Sequence, residues 1–488
     1  MGPRSISTIV IVGGGIVGWS AAAALKRRIP TLDVTVIATA PSPDALADRL
    51  PCTLPSIVDF HADIGLSDVD TILNARSGLR FGTEFRGWSV DHPNYVHAYG
   101  PYGRQLGASP FYQHWLRARE LGDVESFDAF CCAAALGAEG KFSATDGQMD
   151  LAYGLTIDPP VYGQMMRAYA THLGAKEVVS EIGEVRLRSE DGFIDALALS
   201  DGAEIAGDLY IDASGPDATI RGKLDRVIEE WSSYLPCDRL LISDRPAEAE
   251  TSSLDQVSTF HAGWRWEASS PSRRTEGVTY SSRHLADDDA NAILDDAERI
   301  EVRQGRYSEP WFRNCVAIGD AAVSIEPLEW TNLHLAHSAI DRLVAMMPDT
   351  DCSPVELWDY NRQTNAEADR VRDFVMLHYV ASHRPGEAFW TDASTRPLPA
   401  SLGHTLTQFR ERGRLPFYEE ETFARDSWAA VLIGQGVFPR RSDPLLDEMT
   451  TSESARAMQQ MRDAISAVVA RAPSHANYLR NLARQEPR

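Results

Sequence analysis

The chain has 488 residues, of which 43% are hydrophobic and 24% are charged. This composition is typical of a globular protein with a large buried core. The formal net charge is −23, from 70 acidic and 47 basic side chains. Such a surface repels phosphate backbones and anionic lipids, so we expect neither nucleic acid nor membrane as a partner.

The cysteines indicate free thiols rather than a disulfide framework or a metal site. They are spread along the chain without a C-x-x-C pair or zinc-like spacing: Cys52, Cys131, Cys132, Cys237, Cys315 and Cys352. We find no N-terminal export signal and no run approaching the about 18 apolar residues of a membrane-spanning helix. We therefore expect a cytoplasmic protein and no metal.

The N-terminal segment predicts a β-α-β unit. The stretch "STIVIVGGGIVGWSAAAALKRR" reads as a strand, a glycine turn and a helix, and "DVTVIATA" adds a second strand. Its first apolar run, Ile9–Val12, lacks alternation, as expected for a parallel strand covered on both faces. The whole unit has the expected length of about 30 residues.

The turn between strand and helix carries a dinucleotide-binding pattern. Gly13, Gly15 and Gly18 fit G-x-G-x-x-G. The first glycine permits the tight turn, the second lets a pyrophosphate approach the backbone, and the third lets the helix pack on the strand. The helix presents its N–H groups to the phosphates. A tight turn without a ligand is the alternative.

One part of the dinucleotide pattern is missing. The acidic residue that grips the ribose normally ends the second strand, where this chain has Ala38. Asp33 precedes the strand and Asp44 lies beyond it, so neither is well placed. We expect other groups to hold the ribose, or a weaker grip on it.

Further elements follow in chain order. Residues 56–73 are predicted to be helical, and Leu79–Phe85 reads as a strand. "IDPPVYGQMMRAYATHLGA" predicts a helix with Asp158 as a cap and Gly174 at its end. A β-meander follows, with Asp191–Gly192 as its hairpin turn.

The second half begins with strands and ends in helices. "GDLYIDASG" is an apolar strand that runs into a glycine turn, and residues 256–282 alternate as strands do. "RNCVAIGDAAVSIEPLEWTNLHLAHSAIDRLVAMM" again reads as strand, turn and helix. Beyond Pro354 the pattern is almost wholly helical.

Several blocks, in the right order over nearly the whole chain, resemble those of the flavin-dependent halogenases, often called tryptophan halogenases. They are "GGGIVGW" at 13–19, "GTEFRGW" at 82–88, "WSSYLPCDR" at 231–239, "GWRWEAS" at 263–269, "NCVAIGDAAVSIEPLEWTNLHLAHSAI" at 314–340, "DFVMLHY" at 373–379 and "GQGVFP" at 434–439.

The resemblance implies an α/β, FAD-dependent monooxygenase-like fold, with a GR2-type Rossmann core, a β-rich layer and a helical C-terminal subdomain. We expect residues 1–350 to form the FAD-binding core with the interwoven substrate layer, and residues 351–488 to cap the substrate site. It also implies FADH2 from a separate reductase, O2, and chloride or bromide oxidised to hypohalous acid. The substrate would be a small organic, aromatic molecule, and a homodimer is an open alternative.

The resemblance assigns catalytic and anion-binding roles to one block. Glu329 takes the place of the family's glutamate, where a carboxylate can accept a proton from the substrate. Thr331 and Asn332 begin the next helix, and their N–H groups are candidates to hold a halide. Trp330 departs from the family's serine and is expected either to reshape the passage to the substrate or to pack in the core.

Other positions carry over as cofactor contacts. Gly319 and Asp320 match the second FAD contact, with a plain helix cap as the alternative for Asp320. In the loop after the second strand, only Thr53 of the family's glycine–glutamate–alanine–threonine block is kept. We therefore expect altered FAD affinity or flavin geometry.

Trp264 and Trp266 match the tryptophans of the family's W-x-W-x-I-P signature, although Ala268 and Ser269 replace its isoleucine and proline. Two tryptophans at i and i+2 of a strand point the same way. They are expected either to wall the flavin off from the substrate or to be core residues.

Arg80 occupies the place of the family's catalytic lysine. Arginine stays protonated and offers no free lone pair, so a chloramine route through this residue is implausible. Three roles remain open, namely guidance of the electrophile, an anchor for an anionic substrate, and a structural ion pair, for instance with Glu84. We also expect Arg80 and Glu329 to face one cavity.

A second group of residues is expected on the substrate side. The stretch "NYVHAYGPYGRQLG" (94–107) predicts a lid-like loop, and His97, Tyr99, Tyr102 and His114 are candidates to line a pocket. The preferred function is a halogenase by a lysine-free route. The alternatives are a non-halogenating flavin monooxygenase or oxidase, and a non-catalytic flavin-binding protein.

Overall fold

The computed structural model describes residues 4–122, 124–144, 151–247 and 252–485. Their α-helices are α1 (Ile16–Arg28), α2 (Ser56–Ile64), α3 (Asp68–Asn74), α4 (Phe111–Leu121), α5 (Cys132–Ala138), α6 (Pro159–His172), α7 (Asp287–Asn291), α8 (Asn332–Ala345), α9 (Pro354–Val380), α10 (Ala388–Ser394), α11 (Ala400–Arg412), α12 (Arg425–Gly434), α13 (Thr451–Arg471) and α14 (His475–Gln485). Among these residues, no helix combines the length and the apolar character needed to cross a bilayer.

The strands of the described residues are β1 (Thr8–Val12), β2 (Asp33–Ile37), β3 (Gly78–Arg80), β4 (Gly82–Arg86), β5 (Asn94–Ala98), β6 (Gly154–Thr156), β7 (Lys176–Val178), β8 (Ile182–Leu187), β9 (Ile194–Leu199), β10 (Glu204–Ile205), β11 (Leu209–Asp212), β12 (Ile228–Glu230), β13 (Arg239–Pro246), β14 (Leu254–Phe260), β15 (Gly263–Ser269), β16 (Arg273–Tyr280), β17 (Glu298–Glu301), β18 (Gly305–Tyr307), β19 (Trp311–Phe312), β20 (Cys315–Ala317) and β21 (Val323–Ser324).

The chain forms two units, each built from segments that are distant in sequence. Unit 1 consists of Met1–Ser77, Ile157–Ser232 and Ile300–Asp369, and unit 2 of Gly78–Thr156, Ser233–Arg299 and Arg370–Arg488. The proposed division at residue 350 stays a prediction.

Unit 1 is organised around a mainly parallel sheet in the order β19-β20-β11-β1-β2-β7. Strand β1 lies between β11 and β2 and pairs with both in parallel. Its residues Ile9–Val12 are buried because helices cover the sheet, and α1 packs against α6 and α8. The predicted β-α-β unit and the α/β fold are thus confirmed.

Two predicted elements of the first hundred residues are interrupted at glycines. The helical region 56–73 is split into α2 and α3 at Gly65, which has φ +82°. The expected strand Leu79–Phe85 is split into β3 and β4, which belong to different sheets. Gly82 has φ +149°, and a Cβ there would lie 2.2 Å from the carbonyl oxygen of His97. Only glycine fits this corner.

The predicted helix after Asp158 and the predicted hairpin turn are present, but the side-chain cap expected from Asp158 is not. This helix is α6. Gly174 follows the helix with φ +97°, and Gly192 forms the turn between β8 and β9 with φ +71°.

Unit 2 contains a seven-stranded sheet in the order β17-β13-β16-β15-β14-β4-β5. Strands β14, β15 and β16 lie where residues 256–282 were predicted to form strands and pair as an antiparallel meander, and β4 pairs in parallel with β14. Trp88 lies in an aromatic cluster beside this sheet, with its ring centroid 5.1 Å from that of Trp390. Helices α10–α14 complete unit 2, which confirms the helical C-terminal region.

Candidate functional site

The glycine turn of unit 1 has no room for side chains. A Cβ on Gly13, which has φ +134°, would lie 2.2 Å from the carbonyl oxygen of Ala213, and one on Gly18 would lie 2.1 Å from that of Gly13. Gly15 is the N-cap residue of α1 and offers no side-chain cap. The tight turn therefore places the backbone N–H groups at the N-terminus of α1 where a phosphate can approach them, as a dinucleotide-binding turn requires.

The carboxylate of Asp48 lies against this turn, a feature that the sequence analysis missed. Its Oδ1 accepts a hydrogen bond from the N–H of Val17 at 3.1 Å, and a Cβ on Gly15 would lie 2.2 Å from its Oδ2. The residue is half-buried, but loss of water around the carboxyl group raises its pKa to about 6. An anion thus already sits at the start of α1.

Asp320 reaches the same region from the other half of the chain. Its Oδ2 accepts a hydrogen bond of 2.7 Å from the N–H of Ala47, one residue before Asp48. The pKa of Asp320 is raised to about 7, mainly by burial and also by the charge of Asp48. Gly319 precedes it with φ +67°, and a Cβ there would lie 3.1 Å from the side chain of Val17.

The two predicted cofactor segments therefore meet in unit 1. Thr53 is buried in the same loop as Asp48, between the short 3₁₀ helix Leu46–Asp48 and α2. The acidic residues near β2 are engaged elsewhere, since Asp33 pairs with Lys176 at 2.6 Å and Asp44 accepts from the N–H of Glu301. As predicted, no acid follows β2 at Ala38.

The candidate catalytic block of unit 1 has an unusual backbone. Glu329 and Trp330 are consecutive non-glycine residues with φ +68° and φ +60°, and both are buried. A left-handed conformation costs roughly 1–3 kcal/mol per residue and is found mainly where a side chain must be aimed. The strain marks this turn as a functional candidate.

Helix α8 begins directly after this strained turn. Thr331 is its N-cap residue and makes no side-chain capping bond. The buried Oγ1 of Thr331 and Oδ1 of Asn332 have no hydrogen-bond partner among the described residues, although Nδ2 of Asn332 donates to the carbonyl oxygen of Ile325 at 2.9 Å. The N-terminus of α8 thus carries unused polar groups beside Glu329.

Arg80, in unit 2, is almost completely enclosed. Its Nε donates to Oδ1 of Asp255 at 2.7 Å, Nη2 donates to Oγ1 of Thr83 at 3.0 Å, and Nη1 donates to the hydroxyl of Tyr99. Thr83 also donates to Oδ2 of Asp255 at 2.7 Å. The guanidinium group is thereby neutralised and surrounded.

The partner of Arg80 differs from the one suggested by sequence. Glu84 pairs with Arg86 at 2.7 Å instead. Asp255 replaces it because β14 runs beside β4, with Asp255 directly opposite Thr83. Arg80 lies in unit 2 and Glu329 in unit 1, and the expectation that they face one cavity stays a prediction.

The two tryptophans of β15 are buried in unit 2, with the exposed Arg265 between them. Nε1 of Trp264 donates to the hydroxyl of Tyr379 at 2.9 Å. Trp266 packs flat against β16, where a Cβ on Gly277 would lie 2.0 Å from its ring. Both are packed core side chains of this sheet, and the flavin-wall role stays a prediction. The described residues contain no group of three or more His, Cys, Asp or Glu suited to a metal.

Comparisons with known proteins agree with the resemblance. The tryptophan halogenase family model matches residues 8–451. The 7-chloro-L-tryptophan 6-halogenase of Kutzneria sp. (strain 744) is 26% identical, over 96% of this chain and 98% of its own length.

Two solved structures are more similar in sequence. BrvH, a flavin-dependent halogenase from Brevundimonas sp. BAL3, is 35% identical and superposes with a TM-score of 0.91, covering 98% of this chain and 99% of that chain. Xcc4156, a flavin-dependent halogenase from Xanthomonas campestris, is 31% identical with a TM-score of 0.93 and the same coverage. With a family model that spans most of its length, this chain belongs to the tryptophan halogenase family of flavin-dependent enzymes.

Proposed function

We propose that this protein is an FAD-dependent halogenase that transfers chlorine or bromine to a small aromatic molecule without a catalytic lysine. The observation that carries the proposal is the buried Glu329, held in a left-handed turn directly before the N-terminus of α8. The chain keeps this glutamate although it has lost the family's lysine.

Unit 1 has the features of a flavin site. Gly13, Gly15 and Gly18 would let the pyrophosphate approach α1, while Gly319, Asp320 and Thr53 would hold the rest of the cofactor. When bound in reduced form, FAD would supply two electrons, with which one oxygen atom of O2 is reduced to water while the other is transferred to the halide to give hypohalous acid. FADH2 from a separate reductase would complete the cycle.

The carboxylate of Asp48 has to leave the start of α1 before a pyrophosphate can occupy it, because both anions use the same N–H groups. Protonation of Asp48 or Asp320 would reduce their repulsion of the phosphates. We therefore infer that FAD binds more tightly as the pH falls towards the raised pKa values of these groups, about 6 and about 7.

Glu329 would act as the base of the substitution. The aromatic carbon would take the halogen from hypohalous acid, the oxygen would leave as hydroxide, and the ring proton would pass to the Glu329 carboxylate, from which it returns to the hydroxide to give water. Thr331 and Asn332 would hold the halide through the N–H groups at the N-terminus of α8, where the buried hydroxyl of Thr331 has no other partner among the described residues.

Arg80 would position neighbouring groups rather than react. Its N–H groups donate to Asp255, Thr83 and Tyr99, and its side chain is 1% exposed. A side chain so enclosed is suited neither to form a chloramine nor to bind the carboxylate of a substrate. The lysines of the chain are Lys26, Lys141, Lys176 and Lys223. Of these, Lys141 alone belongs to unit 2, and its ammonium group donates to the carbonyl oxygen of Val469.

The second candidate is a flavin monooxygenase or oxidase that uses no halide. The observation that favours it is the same neutralised Arg80, since an ion-paired guanidinium has no lone pair with which to capture hypohalous acid. The two candidates differ in their requirement for bromide.

A single assay separates the candidates. The purified protein is supplied with FAD, a flavin reductase, NADH, O2 and bromide, and indole serves as the reporter. Bromoindole supports the halogenase, and product formation with halide-independent O2 consumption supports the monooxygenase or oxidase. Flavin binding without any product supports a non-catalytic protein.

The Glu329→Gln variant tests the assigned base. We expect its bromination rate to fall about 100-fold or more while FAD affinity is unchanged, since a positioned base contributes that much. The exposed Glu309 offers the matched control Glu309→Gln, which should retain full activity. Full activity of Glu329→Gln would remove this glutamate from the mechanism.

A further inference from the structure

Unit 2 contains a cavity of about 440 Å³ beside the Arg80 network. It is formed by the loop after β5, the start of α5 and one face of α13. The lining residues are Tyr99, Pro101, Gly103, Arg104, Phe130, Cys131, Cys132, Ala133, Gln460, Met461, Ala464 and Ile465. Its volume lies within the roughly 300–1,000 Å³ that is usual for small-molecule sites.

We propose that this cavity binds an aromatic ligand of the enzyme, and that this ligand is neutral or anionic rather than an amino acid with a free ammonium group. The proposal rests on the proposed function. It adds the chemical class of the ligand and names Arg104 as the residue that favours ligands of this class.

The wall of the cavity is suited to an aromatic ring. Phe130, Met461 and Ile465 are buried and present carbon and sulfur surfaces. Aromatic and thioether groups pack favourably against flat rings. The thiol of Cys131 stays neutral because burial raises its pKa to about 12. The inner wall is therefore uncharged.

Tyr99 connects the cavity to the former lysine position. Its hydroxyl accepts a hydrogen bond from Arg80, whose guanidinium carbon lies 5.1 Å from the centre of the tyrosine ring. Tyr99 also lines the cavity. A ring held in the cavity thus lies one side chain away from the place where the family carries its lysine.

The charge of the lining residues indicates which ligands the cavity favours. Arg104 is exposed, contributes the only charge among the lining residues, and makes no ion pair with the part of the chain that the structure describes. The lining contains no carboxylate. A ligand ammonium would be held beside an arginine without a counter-charge, whereas a ligand carboxylate could pair with Arg104 in a bidentate fashion.

The test is equilibrium binding to the full-length protein, with and without FAD, of indole, indole-3-acetate, tryptamine and tryptophan. We expect indole-3-acetate to bind most tightly, indole next, and the two ammonium compounds most weakly. Arg104→Gln should weaken indole-3-acetate about tenfold and leave indole within about twofold. Arg456→Gln, an exposed arginine of α13 outside the cavity, is the matched control.

A second variant tests the location. Ala464 is exposed on the cavity face of α13, so Ala464→Trp should fold and obstruct binding of every ligand, whereas Ala455→Trp, exposed on the opposite face of the same helix, should not. Equal or tighter binding of tryptamine, or unaltered binding in Ala464→Trp, would overturn the proposal. The measurement needs neither reductase nor halide, so a failed bromination assay with intact binding refutes the proposed function and leaves this site standing.

Discussion

Both units place carboxylates at their candidate sites, but only in unit 2 does a basic side chain of the described residues neutralise the charge. In unit 2 the carboxylate of Asp255 is matched by Arg80 and Thr83 in a closed network. In unit 1 the carboxylates of Asp48 and Asp320 influence each other, and no basic side chain of the described residues forms an ion pair with either. A compensated pair is a fixed part of a fold, whereas uncompensated acids can exchange protons or give way to another anion.

The largest expected effect on stability concerns the buried ion pair between Arg80 and Asp255. Asp255→Ala leaves the buried guanidinium of Arg80 without a counter-charge, so we expect the free energy of unfolding to fall by about 3–5 kcal/mol. The measurement is chemical denaturation of the purified variant. Glu84→Gln removes one partner of the surface pair with Arg86 and should cost about 0–1 kcal/mol. Equal losses for the two variants would show that Arg80 and Asp255 are not a structural pair.

Replacing Arg80 by lysine, the residue that the sequence resemblance implies at this position in the family, should not create bromination activity. In Arg80→Lys the ammonium keeps its charge beside Asp255 but cannot donate in one plane to both Thr83 and Tyr99. We expect a loss of about 1–3 kcal/mol in stability and no increase in bromoindole yield, because the paired amine stays protonated. A gain in bromination would show that a free amine is available at this position, and Arg86→Lys serves as the surface control.

The carboxyl groups of Asp48 and Asp320 in unit 1 predict that the stability of the protein depends on pH. Both acids have a usual pKa of 3.8, and in the fold the pKa is raised to about 6 for Asp48 and about 7 for Asp320. The folded state therefore holds protons that the unfolded state has lost, and the stability of the flavin-free protein falls as the pH rises from about 4 to about 7.

Asp48→Asn should remove its part of this slope, on the order of 1–2 kcal/mol, in denaturation experiments at pH 5 and pH 7.5. The comparison is made between variant and wild type because buried His61 and His337, with lowered pKa, act in the opposite direction. Asp44→Asn, in the same loop, is the control. An unaltered slope in Asp48→Asn would mean that Asp48 titrates normally.

Local patterns in the sequence predicted most of the fold. The glycine turn, the β-α-β unit and the strands of residues 256–282 depend on neighbouring residues, and each was found where it was expected. The split of Leu79–Phe85 was missed because Gly82 reads as an ordinary strand residue until His97 is placed beside it.

The candidate sites depend on residues brought together from afar. Asp255 is 175 positions from Arg80, so the nearby Glu84 was the natural but wrong partner. Asp48 lies in a loop rich in proline, whose path no periodicity reveals. Its only sequence signal was an acidic residue in the loop after the second strand.

The most direct test of the claim that Asp48 and Asp320 lie at an FAD site is a titration of the purified protein with FAD at pH 6 and pH 8. Binding is monitored by flavin fluorescence. We expect FAD to bind at both values and about three- to tenfold more tightly at pH 6, with Asp48→Asn tightening binding at pH 8 and flattening the dependence. Folded protein that binds no FAD at either pH, or an Asp48→Asn variant that binds FAD more weakly than wild type, would contradict the account.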